Sequence, residues 1–311
     1  MFTKKLLLDM DTGVDDALAI AYAVGCGAEI AGITCGFGNV ETAEAVRNTL
    51  DLLSLLGRPE VPVFAGDAGP DGQPFRVSEA CRKIHGENGI GNVSLPHHGK
   101  PSPLPAHRFI LDAARKEGDA LVIVCTGTLH NLARAILEDR EAVAKAHSIV
   151  FMGGALTVAG NVTPYAEANI ANDPEAAKIV LESGLPMTMV GLDVTLKHRL
   201  TRETAGRWAD CGHVGGIFSE IAGYYIDNES DRGSCALHDP LAVAAAIEPG
   251  LLVTHPFAMT AITDGEAAGR TVARSYPEEC RVKNVRAALE SDPGFSGRLD
   301  QVLRGLFKAL G

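Results

Sequence analysis

No run of about 18 apolar residues occurs in this chain, so no membrane span is expected. It lacks a positive charge balance: 28 Lys and Arg stand against 39 Asp and Glu, a net charge of -11. That sign argues against nucleic acid or an anionic membrane as the main partner, and leaves room for a small neutral substrate or a cation. No C-x-x-C pair exists among the seven cysteines, Cys26, Cys35, Cys81, Cys125, Cys211, Cys235 and Cys280. An odd, scattered set, partly within apolar runs, reads as reduced, mostly buried thiols in a cytoplasmic protein. No signal-peptide-like apolar region precedes the first strand-like run, which supports the same expectation. Internal repeats, low-complexity tracts and an interdomain linker are also missing. The 311 residues, 46% of them hydrophobic, are therefore expected to form one domain, 1–311, with a large core.

What is present is concentrated near the start. Lys4-Lys5-Leu6-Leu7-Leu8-Asp9-Met10-Asp11-Thr12-Gly13-Val14-Asp15-Asp16 delivers four carboxylates into one turn after a short apolar strand, and a helix follows. One of them is explained by helix capping. Four exceed what capping needs, and their mutual repulsion calls for a hard cation held by oxygen ligands.

Strand-like and helix-like segments then alternate: helices over 15–26, 41–56, 105–117 and 297–310, and strands over 29–35, 61–64, 120–124, 148–152 and 186–191. Unbroken apolar runs such as Leu121-Val122-Ile123-Val124 are typical of strands covered on both faces. The alternation predicts an α/β fold, a doubly wound, mostly parallel sheet with helices on both faces and a Rossmann-like core. Two stretches break the pattern. Residues 66–106, rich in Gly, Pro and His, read as a lid or binding loop, and the polar residues 227–237 lead into His238-Asp239-Pro240.

Three further clusters carry candidate chemistry. Residues 160–177 follow a strand. Within them Asp173-Pro174 is a helix start, whereas Asn161, Glu167 and Asn169 suit sugar hydroxyls, or else brace the loop. Asp239 is either a helix cap or a ligand. Cys125-Thr126-Gly127-Thr128-Leu129-His130-Asn131 is either a tight turn or one that aims the Thr126 carbonyl at a cation. Of ten histidines, His85 and His238 fall in the irregular stretches and are the candidate acids.

Taken in order, these segments resemble the inosine-uridine-preferring nucleoside hydrolase family, over nearly the whole chain. Asp9-Met10-Asp11-Thr12-Gly13-Val14-Asp15-Asp16 is similar to its Asp-x-Asp-Pro-Gly-x-Asp-Asp signature, with Thr12 for proline. Gly38-Asn39-Val40, His85-Gly86, Met152-Gly153-Gly154, Ala166-Glu167-Ala168-Asn169, Gly191-Leu192-Asp193-Val194-Thr195 and His238-Asp239-Pro240 also match. The resemblance implies a Ca²⁺-dependent N-ribohydrolase, a homo-oligomer (dimer or tetramer), acting on a ribonucleoside. Asp11, Asp16, the Thr126 carbonyl and Asp239 would hold Ca²⁺, and Asp11 would be the general base. Asp15 and Asn39 would serve the 2′-hydroxyl, Asn169 the 3′-hydroxyl, and Asn161 and Glu167 the 5′-hydroxyl, with Met152 against the sugar. His238 is the first choice to protonate the departing base, and His85, reaching in when its loop closes, the second.

Two departures stand out: Ala168 replaces an aromatic residue and removes one wall of the base pocket, and His130 stands where the family has threonine. Phe218, Tyr224 and Tyr225 lie towards the leaving-group side, although core packing is the commoner role for helical aromatics. The competing readings are a Mg²⁺-dependent phosphohydrolase of the haloacid dehalogenase type, with Asp9 as nucleophile, and a catalytically altered nucleoside-binding protein.

Overall fold

A computed structural model describes residues 4–229, 233–274 and 283–311. Cys280 and part of the polar stretch 227–237 lie outside the described residues. In chain order the elements are β1 (Lys5–Met10), α1 (Val14–Gly25), β2 (Glu29–Cys35), α2 (Thr42–Leu55), β3 (Val63–Ala65), α3 (Glu79–His85), α4 (Ala106–Glu117), β4 (Leu121–Cys125), α5 (His130–Val143), β5 (Ser148–Met152), α6 (Ala168–Asn172) and α7 (Pro174–Glu182). They continue with β6 (Met187–Val190), α8 (Leu192–Thr195), β7 (Arg199–Thr201), α9 (Arg202–Gly206), α10 (His213–Asn228), β8 (Ser234–Ala236), α11 (His238–Ile247), β9 (Leu252–Phe257), β10 (Met259–Ala261), β11 (Thr271–Ala273), β12 (Val285–Ser291) and α12 (Phe295–Leu310).

Eight strands form one sheet in the order β3-β2-β1-β4-β5-β6-β12-β9. The pairs from β3 to β12 are parallel, and β9 closes one edge antiparallel to β12. The first six strands have the doubly wound order, which reverses direction at β1 and β4. That is the crevice in which such sheets bind ligands, and the acid motif leaves β1 there.

Side chains alternate across the sheet, and β1 shows the consequence. Leu6, Leu8 and Met10 join the core layer packed by α1, α2, α10, α11 and α12. Leu7 joins the opposite layer, under α4, α5 and α7. In α12 the expected apolar stripe is present, with Leu299 and Leu303 buried and Val302 and Leu306 packed against the core. Phe295 and Phe307 extend it at i±4 spacing, whereas Leu310 is exposed. All six described cysteines are free, and four of them are buried. Residues 66–106 are not a bare loop: they contain α3, and Ser102 bridges to the β3 edge.

His130, one of the residues that depart from the pattern of the resembled family, clamps two connections at the carboxyl edge of the sheet. Its Nδ1 pairs with Asp173, the cap of α7, at 2.7 Å, and its Nε2 with Asp67, after β3, at 3.2 Å. Burial alone would lower the imidazole pKa, but the bonds to Asp173 and Asp67 outweigh it and hold it above the ordinary value of 6.5. A raised native pKa stabilises the fold fully below the unfolded value, and that contribution fades as pH rises through the native value. His130→Ala should therefore cost about 1–3 kcal/mol. In urea unfolding the gap from wild type should be larger at pH about 5.5 than at about 8.5. A gap that grows with pH would contradict the clamp.

Candidate active site

Asp11 lies just beyond β1. Its Oδ2 accepts the Asn39 backbone N–H at 2.7 Å, and its Oδ1 accepts Asn39 Nδ2 at 3.2 Å. The approach is close enough to require glycine at position 38, where a Cβ would fall 1.9 Å from Asp11 Oδ2. Gly13 has a similar reason: a Cβ there would stand 2.7 Å from His85 Nδ1 and 2.8 Å from Asn39 Nδ2. Asp16 performs two tasks. As the third residue of α1 it accepts the Gly13 N–H at 2.9 Å, half of a capping box, and its other oxygen accepts Thr126 Oγ1 at 2.6 Å.

Asp15, Asp16 and Asp239 bring carboxylate oxygens within 4.8 Å of one another, and all three are buried. Burial is the largest influence on each and raises its pKa. Neighbouring acids then add to it: Asp15 raises Asp16, and Asp15, Asp16 and Asp11 raise Asp239. Asp11 is raised by burial and then by Asp16. Asp15 Oδ1 and Asp239 Oδ2 are buried with no hydrogen-bond partner among the described residues. Crowded, buried carboxylates with spare oxygens fit a hard divalent cation, which would satisfy the oxygens and cancel the repulsion.

The residues expected around the sugar gather on the same edge. Asn169 Nδ2 donates to the Thr126 carbonyl at 2.6 Å and reaches the Met152 carbonyl at 3.3 Å, so β4, β5 and α6 meet there. The Thr126 oxygen retains a second lone pair. Glu167 caps α6, and its two oxygens accept the backbone N–H groups of Asn169, Ile170 and Gly154. Asn161 is exposed, and its Oδ1 accepts the Ala168 N–H at 3.0 Å, a loop-bracing bond.

Both candidate histidines are at the site. His238 opens α11, with Nδ1 2.8 Å from Thr195 Oγ1 and Nε2 left as the other end of the ring. His85 differs from expectation. It is the last residue of α3 and already in place: its Nδ1 accepts the Val14 N–H at 3.3 Å and stands 3.9 Å from Asp15 Oδ1. The following loop is braced by Asn88, which takes the N–H groups of Ile90 and Asn92, and by Asn48, which donates to the Asn88 carbonyl. Burial pushes both imidazoles down to about 4. The Tyr225 ring centroid lies 5.1 Å from that of His85, whereas Phe218 stacks on Phe307 in the core. Helical periodicity alone gave no means of separating these two aromatics. Thr195 and Asn131 carry no role of their own in the sequence reading, although each lies in a segment named there; the match of residues 191–195 to the resembled family is the available signal for Thr195.

Asp9 is turned away. The two-residue period places it with Leu7, under α5, where Oδ1 accepts Thr34 Oγ1 at 2.7 Å and Asn131 Nδ2 at 2.9 Å. A side chain fixed there and 1% exposed is a poor phosphoryl nucleophile, and the phosphohydrolase reading loses its central residue.

Comparison with known proteins identifies the family. The model of the family described as inosine-uridine preferring nucleoside hydrolase matches residues 6–295. Uridine nucleosidase 1 of Arabidopsis thaliana is 36% identical over 276 residues, covering 86% of this chain and 81% of its own. The pyrimidine-specific ribonucleoside hydrolase RihA of Escherichia coli is 34% identical, covering 87% of this chain and 88% of its own. The solved purine-preferring ribonucleoside hydrolase from Gardnerella vaginalis superimposes with a TM-score of 0.94 at 41% identity, covering 98% of this chain and 100% of its own. A match along nearly the whole chain, joined to this cluster of acids, makes the protein a ribonucleoside hydrolase, cleaving the N-glycosidic bond, and a member of the inosine-uridine preferring nucleoside hydrolase family.

Proposed function

We propose that hydrolysis uses one Ca²⁺ held by Asp11, Asp16, the Thr126 carbonyl and Asp239, with Asp15 beside it. The observation that carries this reading is the buried convergence of Asp15, Asp16 and Asp239, with partnerless oxygens on Asp15 and Asp239. The donors are oxygens only, the set a hard cation prefers. When bound, the ion supplies a site for the ribose diol and a water that ionises more readily.

The remaining work belongs to the chain. Asp11, its carboxylate oriented by the two N–H groups of Asn39, takes the proton of the attacking water. Asp15 and Asn39 serve the 2′-hydroxyl, Asn169 the 3′-hydroxyl, and Glu167 and Asn161 the 5′-hydroxyl, with Met152 under the sugar. As the C1′–N bond breaks, its electron pair leaves with the base and positive charge builds on the ribose. Buried carboxylates stabilise that charge. His238 Nε2 donates the proton or hydrogen bond that the departing base needs. His85 lies under the start of α1 and supports Asp15. The lack of an interdomain linker leads us to a single catalytic domain, the free thiols to a cytoplasmic protein, and the family resemblance to a homo-oligomer. Among the described residues no helix is long and apolar enough to cross a membrane.

Asp16→Ala should lose the ion and turnover together, since that carboxylate joins α1 to the Thr126 turn. Elemental analysis of the purified variant reads the first and inosine or uridine hydrolysis the second. Full metal occupancy in the variant would remove Asp16 from the ligand set.

Ribonucleosides should be cleaved far faster than 2′-deoxyribonucleosides, by up to about 10⁴–10⁵-fold, because a site built to bind a hydroxyl is left with unpaired buried groups when it is missing. Equal rates on uridine and deoxyuridine would contradict the roles of Asp15 and Asn39.

His238→Ala should lower kcat on inosine by about 10²–10⁴-fold and spare p-nitrophenyl riboside, whose leaving group departs without a proton. His85→Ala should affect both substrates alike, because it acts through the start of α1. The ratio of the two rates in each variant decides; a ratio changed only by His85→Ala would reverse the assignment.

A further inference from the structure

Cys81 sits in the first turn of α3, half-buried, its backbone N–H anchored on Ser78 Oγ at 3.2 Å. Its thiol points at the back of Asn39: Sγ donates to the Asn39 carbonyl oxygen at 3.3 Å and lies 3.9 Å from Asn39 Oδ1. The front of Asn39 faces Asp11 with both of its N–H donors. One residue is thus gripped on its acceptor side by a thiol and on its donor side by the proposed base. Contact with the thiol at Oδ1 also fixes which way the amide is turned, with Nδ2 towards Asp11.

We propose that Cys81 is a positioning residue for ribonucleoside hydrolysis, clipping both carbonyl oxygens of Asn39 so that both of its N–H groups stay on Asp11. The inference rests on the reading of Asp11 as base and Asn39 as its partner. The stretch that carries Asn39, Gly36-Phe37-Gly38-Asn39-Val40, contains two glycines. Its own bracing includes the Gly38 N–H to Val40 carbonyl bond at 3.0 Å. An outside clip therefore matters. Burial pushes the thiol up to about 12, so Cys81 retains its hydrogen for this bond. The same helix ends in His85, four residues on, so the clip also fixes the distance between the Asn39 turn and the histidine under α1.

The test is a set of steady-state measurements on inosine and uridine, with melting temperatures, for Cys81→Ala, Cys81→Ser, Asn39→Ala and Cys81→Ala/Asn39→Ala. Cys81→Ala should lower kcat roughly two- to tenfold, the worth of one weak hydrogen bond, with KM changing less. Cys81→Ser keeps a donor at the same place and should recover most of the loss. In the Asn39→Ala background, removing the thiol should cost less than it does in the wild type, because the side-chain amide is gone and only the bond to the backbone carbonyl of residue 39 is left to lose. Wild-type kcat in Cys81→Ala alongside an impaired Asn39→Ala would overturn the clip and leave the reading of Asn39 standing. Equal losses in the Ala and Ser variants, tracking a fall in melting temperature, would reduce Cys81 to packing and also overturn it. Wild-type turnover in Asn39→Ala would overturn the underlying reading and the clip together.

Discussion

Mutual repulsion among buried carboxylates is the constraint on which the rest of this structure depends. Two unit charges about 4 Å apart repel by about 4 kcal/mol at an effective dielectric constant of about 20. Here Asp11, Asp15, Asp16 and Asp239 are all buried, and burial adds its own cost for every charge. The fold meets part of this cost with donors: Asn39 for Asp11, and Gly13 N–H and Thr126 Oγ1 for Asp16. Asp15 and Asp239 are left each with a partnerless oxygen. What the donors leave unmet is the driving force for taking up a cation, and that same unmet negative charge is what a ribose losing its base requires.

The sheet makes the crowding possible. β1 and β4 are neighbours at the point where the strand order reverses, with Asp9 opposite Cys125. Beyond that pair the chain separates into Asp11 on one side and Thr126 on the other. Asp15 and Asp16 enter from the first turn of α1, and Asp239 from the first turn of α11. Helices that begin at the crevice point their free N–H groups and positive dipole ends into it, which eases the burial of acids. The acids are sorted before any helix is reached, because the period of two in β1 fixes Asp9 on the face of Leu7 while Asp11 lies past the end of the strand and escapes that alternation. Asp9 is turned under α5 and becomes part of the frame, whereas Asp11 faces its glycines and Asn39.

The fold and the acid cluster were legible because their signals are local. Strand runs such as 148–152 matched the structure at both ends, and the prolonged alternation carried the doubly wound sheet. Asp11, Asp15 and Asp16 share one motif, and Asp239 stands beside His238 in another. The errors and silences have a common physical origin in contacts between distant segments. His85 was expected in a moving loop because residues 66–106 have the composition of one. It is instead the end of a short helix, held by the Val14 N–H. Asn161 and Glu167 read alike as polar loop residues, yet one is exposed and bonded to a neighbour's amide while the other is buried under three backbone donors. His130 is visible in the sequence only as a departure without a role, because Asp67 and Asp173, which make it a clamp, lie 63 and 43 residues away.

The base end of the site follows the same logic to a different result. The proposed sugar end is built from residues at the ends of β1, β4 and β5, whose spacing the sheet fixes. On the proposed reading the base end falls to α3, α10 and α11: His85 at the end of α3 lies against Tyr225 of α10, and His238 opens α11. Their relative placement depends on packing between helices, not on strand register. A substitution such as Ala168, at the opening residue of α6, removes bulk without disturbing the bond from Asn169 to the Thr126 carbonyl, since that bond begins one residue later. The proposed assignment therefore separates two tasks: a sheet edge that would hold ribose and acids in one arrangement, and a rim of helix ends where side chains of different size can be exchanged. On that assignment, catalysis on the sugar is bound to the first, and discrimination among bases is free to vary with the second.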